Sequence, residues 1–219
     1  MQAGSGVMQA ETDDGIRPTA RGRKSAKKRS AIMRAAIEII NEKSFALATM
    51  TEIAASLDLK DATLYYYFPN KQALVYQCHL TSLHRFEVIL QESGLVVGLG
   101  IDKLRRFLHN FLKDSEDNGQ QLYFGDYSYL DAPQRQKIAG WADSLTRQLQ
   151  QMIDQGISDG SVVQCESALI VQLLLGMLIW LAKWAPRPKD LTLDSLDRAI
   201  AMFAFDGIAA RPRSDLPAD

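Results

Sequence analysis

Residues with chemistry to offer gather on one side of the short run Asp61 to Phe68, DATLYYYF. At about 100° per residue on a helix, Leu64 and Phe68 share a face with the turn residue Leu59 nearby, whereas Ala62 and Tyr66 point the opposite way. Thr63 and Tyr65 lie on the flanks. Packing the leucine face against Ile39, Ile53 and Leu57 leaves Ala62, Thr63, Tyr65 and Tyr66 free for base edges and phosphates. Asp61, at the front of this helix, has two uses open to it: capping orphan N–H groups, the commoner one for Asp at a helix start, or accepting from cytosine N4.

A second group acts through charge. Arg17, Arg21, Arg23, Lys24, Lys27, Lys28 and Arg29 come with no acid between Asp14 and Glu38. Such an arm neutralises phosphates or enters a minor groove. The formal net charge of -1 over 219 residues hides it: residues 15–77 hold eleven Lys/Arg against five Asp/Glu, which leaves +6 there and -7 elsewhere. One region attracts phosphates while the rest keeps the whole nearly neutral.

Enzyme chemistry finds little support. His79, His84 and His109 show no H-E-x-x-H or comparable metal spacing, and there is no G-x-S-x-G elbow or P-loop. No metal, cofactor or catalytic role is expected. Cys78 and Cys165 match no metal or redox spacing, which suits a reduced, cytoplasmic setting. The N-terminus does not read as a secretory signal. The apolar run Ala168 to Ala182 contains Gln172, stops at Lys183 and falls short of the ~20 residues a membrane span needs, so it predicts a buried helix.

The elements that must position these groups are helices. Ile32, Ala35, Ala36, Ile39 and Ile40 follow an amphipathic template and predict a first helix from about Lys27 to Lys43. Thr49 and Glu52 form a T-x-x-E capping box ahead of a second helix, Met50 to Leu57. DLK at 58–60 is a tight turn, and the third helix must stop near Pro69. Asn70 caps a fourth helix running to about Leu90, and SGLVVGLG at 93–100 reads as a linker at a domain junction. Helices are predicted beyond it at about 101–115, 120–130, 133–156, 165–184 and 192–208. The class is all-α, about nine helices with no strand pattern. Its parts are a basic arm to 24, a three-helix head at 25–77, a second helical domain at 78–210 and a polar tail.

ATMTEIAASLDLKDATLYYYFPNKQAL, at 48–74, resembles the signature of TetR-type transcriptional regulators, in which T-x-x-x-I-A and a turn precede T-L-Y-x-Y-F-x-x-K. Thr49, Ile53, Ala54, Thr63, Leu64, Tyr65, Tyr67, Phe68, Lys71 and Leu74 meet that pattern. The resemblance implies a helix-turn-helix head in which Thr49, Tyr67 and Lys71 contact phosphates while Lys60, Asp61, Ala62, Thr63 and Tyr66 face bases or the adjacent backbone. It departs from the family at Asp58 and Ser44, where glycine is usual, and at Lys60, where a capping serine is; the cap is expected to pass to Asp61 or Asp58.

The resemblance also implies a homodimer and a small hydrophobic or amphipathic effector, with fatty acyl and aromatic compounds both conceivable. In such proteins the last two long helices form a four-helix dimer contact, here assigned to Leu169, Leu173, Trp184, Leu196, Ile200 and Phe203. Phe107, Phe111, Tyr123, Tyr127, Trp141, Leu145, Met177 and Trp180 concentrate aromatic and apolar groups where the family places an effector cavity. The expected function is a regulator, a repressor by preference, that releases a palindromic operator when its effector binds. The alternative is a helical small-molecule-binding or interaction protein that has lost DNA recognition.

Overall fold

The computed structural model describes residues 20–122, 127–184 and 192–206, with the side chains of 182–184 outside that set. Among the described residues there are eight helices and no strand: α1 (Ala20–Lys43), α2 (Met50–Ala55), α3 (Asp61–Tyr67), α4 (Lys71–Gly94), α5 (Gly100–Asn118), α6 (Ala132–Ser158), α7 (Ser167–Trp184) and α8 (Leu193–Phe205). Polar side chains start several of them, as orphan N–H groups require. Asn70 accepts from Ala73 N at 2.7 Å to open α4, and Asp131 accepts from Gln134 N at 2.8 Å to open α6.

Two hydrophobic clusters organise the chain. Ile32, Ala36 and Ile40 of α1 meet Ile53, Leu64, Phe68, Leu74 and Cys78 in the head. Leu83, Phe86 and Leu90 join α5, α6, α7 and α8 in the body. The division therefore falls inside α4, between Cys78 and Leu83, and one continuous helix serves both cores.

The turn between α4 and α5, expected to be a linker at 93–100, lies within a single core. Gly100 is no linker residue: a Cβ there would lie 2.2 Å from Gly156 N, so α5 and α6 approach backbone to backbone. α1 begins at Ala20 rather than Lys27, making Arg21, Arg23 and Lys24 helical rather than an arm; Arg17 lies outside the described residues. The helix expected at 120–130 is not formed in its described parts, 120–122 and 127–130. Gly119, at φ 79°, ends α5, and Arg85 holds the carbonyls of Gly119 and Gln120 at 2.6 and 3.4 Å, so these groups bond across the fold instead of along a helix.

Candidate nucleic-acid interface and ligand cavity

The third helix stands as its periodicity predicts. Leu64 is 0% and Phe68 1% exposed, whereas Tyr65 is 48% and Tyr66 80% exposed, and Ala62 is open beside them. Thr63 and Tyr67 are half-buried, with the Tyr67 ring meeting that of Tyr66 edge-on at 5.3 Å. Lys60, Thr49, Arg23, Lys24 and Lys27 are exposed. Tyr65 and Tyr66 thus bring a phenol each, and the lysines bring charge, to a surface that a duplex can reach.

Hydrogen bonds fix this helix against its neighbours, not all as expected. Lys60 occupies the N-cap position of α3 with no side-chain cap bond, and Asp61 is the first helical residue. The Asp61 carboxylate accepts from the Thr51 hydroxyl of α2 at 2.6 Å, so it braces the angle between the two helices instead of capping. Thr49 accepts from Glu52 N at 3.1 Å, but the reciprocal half of the capping box is absent because Glu52 pairs with Lys43. Ser44 and Asp58 take the left-handed backbone, φ 85° and 52°, that the glycine pattern implies.

Two cations expected near phosphates bind the head together. Lys71 Nζ donates to the carbonyls of Phe45 and Ala48 at 2.8 and 2.9 Å and lies 4.2 Å from the Phe45 ring centroid. An ammonium has three protons, so the α1–α2 connection holds two of them. Arg29, half-buried, donates to Tyr67 O at 3.2 Å and covers the Phe68 ring at 4.3 Å, which ties α1 to the end of α3. Nothing in its sequence context separates Arg29 from its basic neighbours; Thr51 likewise carries no signal.

The body encloses a cavity of about 710 Å³ between α4, α5, α6, α7 and α8, within the range of small-molecule sites. Phe111, Tyr127 and Trp180 line it as expected, together with Leu83, Phe86 and Leu122. Phe107 and Leu145 do not: they are buried in the core itself, and Trp141 and Met177 pack half-buried against that core without reaching the cavity wall. Tyr123 lies outside the described residues.

From the cavity a short polar path leads to the head. Gln121 O accepts from Asn41 Nδ2 of α1 at 2.9 Å, and both residues line the cavity. Ser82 Oγ accepts from Leu122 N at 2.9 Å, seating Leu122 in the head cluster. Tyr129 stacks on Phe45 at 3.7 Å and is hydrogen-bonded to His79 Nε2 at 2.7 Å. The α5–α6 connection is thus anchored on the α1–α2 connection and on α4.

Leu169, Leu173 and Trp180 of α7 are exposed, and a Cβ on Gly176 would meet nothing within 4 Å; Gly176 and Trp180 also line the cavity. Their spacing puts them on one stripe at about 100° per residue, opposite the buried Val171 and Leu178. Phe203 and Met202 of α8 are also open. Ile200 and Leu196, expected in the same interface, are used inside the subunit: Ile200 is buried in the body core and Leu196 lines the cavity. The Trp184 side chain lies outside the described residues.

Comparisons with known proteins agree with this geometry. The family described as "Bacterial regulatory proteins, tetR family" matches residues 32–78, and "Tetracyclin repressor-like, C-terminal domain" matches residues 98–208. The biofilm operon negative transcriptional regulator IcaR of Staphylococcus aureus is 30% identical over 88 residues, 40% of this chain and 47% of that protein, so the match spans about half of the relative's length. The TetR family regulator PfmR of Thermus thermophilus superposes with a TM-score of 0.65 at 22% identity, over 90% of this chain and 99% of the other. AibR, solved in complex with isovaleryl coenzyme A and operator DNA, superposes with a TM-score of 0.67 at 19% identity, over 81% and 98% of the two chains. With both its head and its body matched, the chain belongs to the TetR family of bacterial transcriptional regulators.

Proposed function

We propose that this regulator is a homodimeric, cytoplasmic repressor that reads a palindromic operator with Ala62, Thr63, Tyr65 and Tyr66 and releases it when a small hydrophobic or amphipathic effector fills the body cavity. The observation that carries the reading is α3 itself, where Tyr66 is 80% exposed two residues from the fully buried Leu64. Arg23, Lys24, Lys27, Thr49 and Lys60 supply phosphate contacts around it, and Lys71 adds the proton its carbonyl partners leave over. The negative regulation named for the Staphylococcus aureus relative favours repression, and the operator and acyl-coenzyme A named for AibR favour an effector-gated operator.

Dimerisation supplies the second reading head. The exposed stripe Leu169, Leu173, Gly176 and Trp180, with Phe203 and Met202, supports a two-fold contact through α7 and α8. A ligand releases DNA only if it binds better to the state whose heads are wrongly spaced. α4, rooted in both cores, is the lever, and the Gln121–Asn41 bond is a direct hold of the cavity on α1.

The test is a duplex selected from a random pool, titrated against salt. Each neutralised phosphate contributes about 0.9 to the slope of log affinity against log salt, so Lys24→Glu with Lys27→Glu should lower that slope by about two. Binding without salt dependence, or none to any duplex, would leave a helical ligand-binding protein that has lost DNA recognition.

A further inference from the structure

We propose that Tyr129 of the body positions Lys71 of the head for its phosphate contact, by backing the Phe45 ring on which the Lys71 ammonium rests. The inference depends on reading Lys71 as a phosphate contact and names the residue that sets its place.

The geometry is a three-layer stack. Tyr129 covers one face of Phe45, with ring centroids 3.7 Å apart and the planes within 11° of parallel. A face covered so closely admits nothing else, so the Lys71 ammonium, over the same ring at 4.2 Å from its centroid, takes the opposite face. The two carbonyls to which Lys71 donates, those of Phe45 and Ala48, belong to the same connection between α1 and α2. Both kinds of contact that place the ammonium therefore run through this short segment.

The segment has little hold of its own. Ser44 takes left-handed backbone at φ 85°, and Ser44, Ala46 and Leu47 are exposed, so Phe45 alone of these four turns inward. Tyr129 meets it from the body and is itself fixed at its far end: the hydroxyl is hydrogen-bonded to Nε2 of the fully buried His79 at 2.7 Å, and the ring packs against both hydrophobic clusters. An ammonium on a flexible stem binds a phosphate more tightly when its place is set beforehand, because less side-chain freedom is lost on contact. The support for a residue of the head's phosphate surface thus comes from the body. On its other side the His79 ring is in edge contact with Tyr127 at 5.3 Å, and Tyr127 lines the cavity, so the same row of contacts ends at the cavity wall.

The experiment measures the affinity of the full chain and its variants for the duplex selected from a random pool, as a function of salt. Lys71→Gln should reduce the slope of log affinity against log salt by about 0.9, the share of one phosphate. Tyr129→Met, which keeps apolar bulk but removes the ring, should reduce it by most of that amount, and the two substitutions together should reduce it no further than Lys71→Gln alone. Tyr129→Phe keeps the ring and should keep the slope. A merely structural role for Tyr129 would weaken binding at every salt concentration and leave the slope unchanged. A second readout needs no DNA: the Lys71 ε-methylene protons, shielded by the Phe45 ring, should move toward the ordinary lysine position in the proton spectrum of Tyr129→Met. Phe45→Met should reproduce the slope loss, which keeps the test open if the Tyr129→Met protein fails to fold. An unchanged slope in either methionine variant, an unmoved Lys71 resonance in Tyr129→Met, or a further loss in the double variant overturns the proposal. An unchanged slope in Lys71→Gln removes the phosphate contact and this proposal with it, whereas a reduced slope there beside an unchanged one in Tyr129→Met overturns this proposal alone.

Discussion

Ser44 and Asp58 hold left-handed backbone with φ of 85° and 52°, a region that costs an L-residue about 1 kcal/mol or more. Ser44→Gly and Asp58→Gly should therefore each raise thermal stability, by up to about 1 kcal/mol. Asp tolerates this region and 52° lies near its centre, so the gain should be larger at Ser44. Asp61 offers a sharper test. Its carboxylate is engaged by Thr51, so Asp61→Ala and Thr51→Val should lower affinity for every operator variant by a similar factor, about fivefold for a bond worth ~1 kcal/mol. A change of preference confined to one base position in Asp61→Ala alone would return Asp61 to base reading. At Cys78, burial pushes the thiol well above its usual range, and the side chain is a fully buried member of the head core, consistent with a packing role.

At the scale of the elements, much was legible where the signal is local. The Leu64/Phe68 spacing oriented α3 correctly because burial of a helical stripe needs only the period and a core to face. The capping box was half right: Thr49 caps α2, but Lys43 lies close enough to take Glu52 away. The extent of α4 was underestimated because its weak stripe switches partners midway, from Leu74 and Cys78 in the head to Leu83 and Phe86 in the body. The α5–α6 crossing gives the prediction for this scale. Gly100→Ala places a methyl against the Gly156 backbone, which cannot yield as a side chain can, and should cost about 3 kcal/mol in chemical unfolding. A cost near zero would mean that the two helices separate freely there.

For the whole molecule, charge and apolar surface are divided between opposite tasks. Basic residues crowd the start of α1, while Leu169 and Leu173 of α7 and Phe203 of α8 are apolar and exposed in one subunit. Leu173→Lys with Phe203→Lys should raise the dimer dissociation constant by about a hundredfold, since each charge would be buried without a partner. Sedimentation would follow the shift, with circular dichroism unchanged because both side chains point away from their own core. An unaltered dimer would move the interface elsewhere. Asp159 links α5 to α6 by accepting from Gly100 N at 2.7 Å, and its carboxyl is held below the usual range first by Ser161 and then by that backbone bond. The contribution is present above the ordinary carboxylate pKa and fades as pH falls through the lowered one, so it acts only on the acid side.

Taken by itself, the sequence determined the helical class, the order of the head's three helices and the outward tyrosines, because periodicity, caps and prolines act within a few residues of one another. It also determined that the head is basic, since that is a matter of counting. Tertiary structure alone decided that Asp61 answers Thr51, that Lys71 is bound to two carbonyls and that the Gln121 main-chain oxygen holds Asn41 of α1. Those outcomes depend on groups 10 to 26 residues apart in the chain for Asp61 and Lys71, and 80 apart for Gln121. No local pattern encodes such meetings, because a side chain's partners are chosen by which surfaces pack together and not by its neighbours in sequence.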